Sequence, residues 1–88
     1  MAWTIEFSRT AEKQIAKLDR RWQREILDYL DQRVARQSDP TQLGKPLRGD
    51  MKGLWRYRIG DFRVICSLEA DRLVVHVVGL GHRSAVYE

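Results

Sequence analysis

Over Ala2 to Phe7 the large apolar residues Trp3, Ile5 and Phe7 alternate with Ala2, Thr4 and Glu6, the period of a half-buried strand. The spacing then changes to three and four. Ile15, Leu18, Trp22, Ile26, Leu30 and Val34 recur with charged residues between them, which predicts an amphipathic helical region from about Thr10 to Arg36 with Ser8 or Thr10 as its cap. Few globular helices run that far unbroken, so a break is expected at Asp19-Arg20-Arg21. Ser38-Asp39-Pro40 ends the region, because a residue before proline is driven out of the helical conformation. Asp39 to Lys52, with Gly44, Pro46 and Gly49, reads as loop with at most one helical turn.

A period of two returns in Gly53 to Cys66, GLWRYRIGDFRVIC. Gly60-Asp61 has the form of a two-residue type II′ hairpin turn, which pairs Ile59 with Phe62, Arg58 with Arg63, Tyr57 with Val64, Arg56 with Ile65 and Trp55 with Cys66. Trp55, Tyr57, Ile59, Phe62, Val64 and Cys66 then share an apolar face, and the three arginines share the other. A third strand is expected over Leu73 to Val78. A turn centred on Ala70-Asp71 would pair Ile65 with His76 and Arg63 with Val78. Val74, His76 and Val78 would then join the arginine face. The near-continuous apolar character of this strand marks it as central.

These elements predict an α+β fold: an N-terminal strand, a two-helix hairpin and a three-stranded antiparallel meander, with the helices packed on one face of the sheet. The first strand is expected to pair with the meander's central or edge strand. The chain of 88 residues reads as one domain spanning residues 1–88.

Composition narrows the function classes. With 43% hydrophobic and 32% charged residues, the chain is ordinary for a globular protein. It has no apolar run long enough to cross a bilayer and no signal-peptide pattern, so no membrane partner is expected and the location implied is cytoplasmic. The single cysteine, Cys66, falls on the core face and offers neither a disulfide nor a thiolate metal site. A net charge of +4 and a pI near 9.6 favour a polyanionic partner.

Like charges set opposite each other weaken a hairpin, and an anion on that face removes the penalty. Arginine's planar fork suits phosphate or carboxylate, so Arg56, Arg58 and Arg63 form a candidate phosphate site. A solvated outer face with acidic neighbours from elsewhere in the fold is the other reading of the same pattern.

The run GKPLRGDMKGLWRYRIGDFRVIC, followed by VVHVVGLGHRSAVY, resembles the RelE family of bacterial toxins within the RelE/ParE superfamily, and the resemblance covers essentially the whole chain. It implies the toxin of a type II toxin–antitoxin system, a ribosome-dependent endoribonuclease that cuts mRNA in the decoding site and so inhibits translation. The partners it implies are the ribosome with its mRNA and a cognate RelB-like antitoxin, acidic and folding on binding. Operator DNA would be met only indirectly, through that antitoxin. Family members carry basic residues at the positions of Arg56 and Arg58, arginines at those of Arg63 and Arg83, and often a tyrosine at that of Tyr87.

Such a set suits RNA cleavage with no cofactor and no metal, because RNA supplies its own nucleophile, the ribose 2′-hydroxyl. The protein must align it with the adjacent phosphorus, accept its proton and stabilise the phosphorane charge. Fixed arginines serve the last task and serve proton transfer badly. Some relatives have lysines where Arg56 and Arg58 stand, so here the candidates for base and acid are Tyr87, His82 and, more distantly, His76. Tyr87 can alternatively stack on a nucleobase. Lys45, Arg48 and Lys52 are candidate grips on the RNA backbone. Two other functions remain on the same scaffold: a ParE-like inhibitor of DNA gyrase, and a noncatalytic module that binds RNA or antitoxin.

Overall fold

The computed structural model describes residues 2–82. Strand β1, Thr4–Phe7, leads directly into helix α1, Arg9–Ala16, and helix α2 follows over Arg20–Tyr29. Ser8 caps α1: its hydroxyl accepts from the Ala11 amide at 3.0 Å and donates to the Val78 carbonyl at 3.0 Å, fixing the start of the helix to the sheet. The break falls at Lys17–Asp19. There the Asp19 carboxylate accepts from the Trp22 amide at 3.0 Å, satisfying an otherwise orphaned donor of α2. The Gln23 side chain donates back to the carbonyls of Ile15 and Leu18 at 3.1 and 2.9 Å, so the second helix closes the end of the first.

From Leu30 to Val34 the helix continues with π geometry, and the Ala35 amide donates to the Leu30 carbonyl at 2.8 Å. Widening the last turn keeps Leu30 and Val34 on the buried face with Ile26. One short strand and two short 3-10 turns fill the region expected as loop: a turn at Pro40–Leu43, strand β2 at Lys45–Pro46, and a turn at Gly49–Met51. The described residues close with β3, Leu54–Ile59, β4, Phe62–Glu69, and β5, Val74–His82.

The sheet is five-stranded in the order β1-β5-β4-β3-β2. β1 pairs in parallel with β5, Thr4 opposite Val74 and Phe7 opposite Val77, and the other neighbours are antiparallel. α1 packs on β5 and α2 on β3, so one face of the sheet is covered and the other is open. Between them lie Ala11, Ile26, Leu30, Val34, Tyr57, Val64, Cys66, Val75 and Val77, all fully buried. Burial also pushes the Cys66 thiol well above its ordinary pKa, which suits an inert core residue.

The β3–β4 register is the one the two-residue turn predicts, position for position from Ile59–Phe62 to Trp55–Cys66. Gly60 carries φ of 59° while Asp61 does not take a positive φ, as a type II′ turn requires. A side chain at Gly60 would also collide with the Trp22 ring, 2.5 Å from where its Cβ would stand.

The β4–β5 register departs from expectation. Ile65 pairs with Gly79 and Arg63 with Gly81, not with His76 and Val78. The turn is longer than a two-residue centre: Ala70 to Leu73 separate the paired Glu69 and Val74, with Leu73 at φ of 55° and its amide on the Ala70 carbonyl. A bulge between Ile65 and Cys66 then adds one more step, which moves every later residue of β5 to the other face. Val74 and His76 precede the bulge and keep to the open face as expected, but at its far end from the arginines, where Val74 is buried.

Candidate cationic cleft on the open face of the sheet

β3 delivers Arg56 and Arg58 to the open face, and β4 delivers Arg63, because alternate residues of a strand point the same way. Arg58 stands directly opposite Arg63. On the other side of β3, β2 places Lys45 directly opposite Arg56. The pairing is prolonged by the Leu47 amide, which donates to the Leu54 carbonyl at 3.0 Å. Lys45, Arg56, Arg58 and Arg63, with Leu43, line one cleft of about 110 Å³. Two like-charged cross-strand pairs thus sit side by side, an arrangement that an anion entering the cleft would stabilise.

The walls of this cleft are held from behind. Tyr57, between the two arginines of β3 but facing inward, is fully buried and donates to the Pro40 carbonyl at 2.9 Å. Asp39 caps the Pro40–Leu43 turn by accepting from the Thr41 amide and hydroxyl at 3.1 and 2.6 Å. Gly44 lies against the Tyr57 ring so closely that an added Cβ would stand 3.0 Å from Cε1. That contact brings the chain back to the sheet in time for Lys45 to pair. On the far side Gly79 and Gly81 oppose Ile65 and Arg63, so β5 adds no side chain there.

The other sequence candidates are distributed differently. Arg48 and Lys52 flank the Gly49–Met51 turn, exposed, and do not line the cleft. His82 is opposite Phe62, and its ring meets the Phe62 ring edge-on at 5.8 Å, with Trp22 at 4.9 Å from Phe62 on the same side. That places the imidazole on the helix-covered face at the sheet's end. Arg83 and Tyr87 lie outside the described residues.

His76 belongs to a second polar group at the other end of the open face. Its Nε2 is 2.9 Å from Glu69 Oε1 and its Nδ1 is 3.5 Å from Glu6 Oε1, while Arg72 reaches the same two carboxylates at 3.3 and 3.9 Å. The hydrogen bond with His76 and the charge of Arg72 hold the Glu69 carboxyl below its ordinary range, against an opposing desolvation. The longer turn is what carried His76 away from the arginines.

Sequence reasoning placed Lys45 on a loop and missed its strand. The signal was present in Lys45-Pro46: a residue before proline is pushed to extended geometry, and proline, lacking an N–H, suits an edge strand.

A family model described as the ParE toxin of the type II toxin–antitoxin system parDE matches residues 5–87. Toxin RelG of Mycobacterium tuberculosis is 26% identical over 87 residues, which cover 99% of this chain and 98% of the relative. Toxin RelE of the same organism is 40% identical over 50 residues, 57% of this chain and 52% of the relative. Among solved structures, the toxin–antitoxin complex RelBE2 of that organism contains a chain matched with a TM-score of 0.87 at 25% identity, over 96% of this chain and 94% of the other.

Proposed function

The chain belongs to the ParE toxin family of type II toxin–antitoxin systems, within the RelE/ParE superfamily, and from that premise we propose that it cleaves mRNA on the ribosome. The observation that carries the reading is the meeting of Lys45, Arg56, Arg58 and Arg63 in one cleft. The scissile phosphate sits among these cations, and the neighbouring 2′-hydroxyl attacks its phosphorus. The guanidiniums, already aimed at the site, hold the negative charge that grows on the phosphorane oxygens. Arg83 and Tyr87 are assigned to the same reaction, and Arg48 and Lys52 to binding the RNA backbone. The protein works in the cytoplasm, where the ribosomes are.

Control comes from a cognate antitoxin. The solved relative RelBE2 is a toxin–antitoxin complex, and a chain of net charge +4 suits an acidic partner segment that orders on binding.

The ParE description of the matching family favours one second reading, inhibition of DNA gyrase. The two are separated by running the purified toxin in a translation reaction with a defined mRNA and in a gyrase supercoiling reaction. The proposal expects site-specific cuts in the mRNA and unchanged supercoiling. Intact mRNA together with blocked supercoiling would replace it.

A further inference from the structure

We propose that Lys45 is the general base of the cleavage reaction, the group that takes the proton from the attacking 2′-hydroxyl. The inference rests on the reading of this cleft as an RNA-cleaving site. It starts from a deficit in the cleft: among its described polar lining residues, Arg56 and Arg58 of β3 and Arg63 of β4 are guanidiniums, which stay protonated in proteins and have no acceptor atom. They can hold charge but cannot receive a proton. Lys45 of β2 is the fourth cation lining the same space, and an amine can shed its proton and take one back. His82 is turned against Phe62 on the covered face, and His76 is engaged with Glu69 and Glu6 at the other end of the sheet.

Position supports the same assignment. Lys45 is opposite Arg56 in register, so its flexible stem starts from an edge strand at the rim of the cleft and reaches the same phosphate that the arginines hold.

The step balances as follows. Neutral Nζ of Lys45 takes the 2′-proton as the 2′-oxygen forms its bond to phosphorus. The bond from phosphorus to the 5′-oxygen breaks, and its electron pair leaves on that oxygen, which is protonated from solvent. The ammonium of Lys45 then returns its proton to solvent. The products are a 2′,3′-cyclic phosphate and a 5′-hydroxyl.

The test uses the full chain on programmed ribosomes under single-turnover conditions. Lys45→Arg keeps the charge and removes the exchangeable amine. It should bind ribosomes and melt like the wild type but cut at least about a hundredfold more slowly, and it should lack the rise of rate with pH that the proposal expects of the wild type. Lys45→Ala should regain cutting with added methylamine or ethylamine, increasingly as pH rises, and gain nothing from guanidinium. A Lys45→Arg variant cutting within about threefold of wild type, or a Lys45→Ala variant restored equally by guanidinium, would overturn the inference while leaving the nuclease reading standing. A wild-type chain that cuts no mRNA would overturn both.

Discussion

Tyr57 holds the back of the cleft in place with one hydroxyl. It is fully buried, its neighbours on β3 are Arg56 and Arg58, and its bond to the Pro40 carbonyl ties the strand to the turn that precedes Lys45. Tyr57→Phe leaves that buried carbonyl without its donor and should cost about 1–3 kcal/mol in a denaturant titration. Because the lost tie positions Lys45, cutting should fall even at temperatures where the variant stays folded. Arg63 is assigned the opposite kind of part, one played in the proposed reaction. Arg63→Ala should lower kcat by about 10²–10³-fold with a far smaller change in ribosome binding, since charge stabilisation of this kind is specific to the transition state. Equal losses in rate and binding would make it a grip on RNA instead. For Tyr87, Tyr87→Phe keeps the aromatic face and removes the hydroxyl, so near-normal cutting beside a defective Tyr87→Ala would assign it to base stacking.

At the scale of elements, the β3–β4 hairpin carries most of the site, and its two faces are separately testable. Arg58→Glu places opposite charges across the strands at Arg63 and should leave the melting temperature unchanged or raised while abolishing cutting. Val64→Glu, pointing the other way into the core, buries an unpaired charge and should cost about 3 kcal/mol or more. Similar losses from both would mean the faces are wrongly assigned. This hairpin was legible in the sequence because a two-residue Gly-Asp turn leaves one register open and the alternation of Arg with Trp, Tyr and Ile assigns the faces. The β4–β5 pairing was not, because neither a four-residue turn with Leu73 at positive φ nor a bulge has a periodic signature. β2 was equally hidden, since two residues cannot display a period, and with it went the place of Lys45 beside Arg56. The helical hairpin was readable from its three-and-four spacing, whereas the π geometry after Tyr29 changes no residue's class and so left no trace in the pattern.

Taken as a whole molecule, the open face of the sheet is divided by charge. Lys45 and three arginines occupy the end formed by β2, β3 and β4, and Glu6, Glu69, His76 and Arg72 occupy the other, where β1, β4 and β5 meet. The second group ties the parallel β1 to the meander. Glu69 has its pKa lowered by folding, so its contribution to stability is present above the ordinary value of 4.5 and is lost as pH falls through the lower folded value. Wild type should therefore exceed Glu69→Gln in denaturation midpoint at neutral pH, and the gap should close in acid. A gap that persists in strong acid would mean the carboxylate's charge is not what holds the strands. The cationic end is where the account places the chemistry, and its partner is expected to answer the charge: affinity copurification should bring down a small, net acidic protein.

The central claim is that this end of the sheet cuts RNA by using the substrate's own 2′-hydroxyl. It is tested most directly by mapping the cut in a ribosome-bound mRNA and repeating the reaction with a single 2′-deoxy nucleotide on the 5′ side of the scissile phosphate. The account predicts that the modified message stays intact at that position while the unmodified one yields a 2′,3′-cyclic phosphate end. Cleavage of the deoxy-substituted message at the same bond would contradict it.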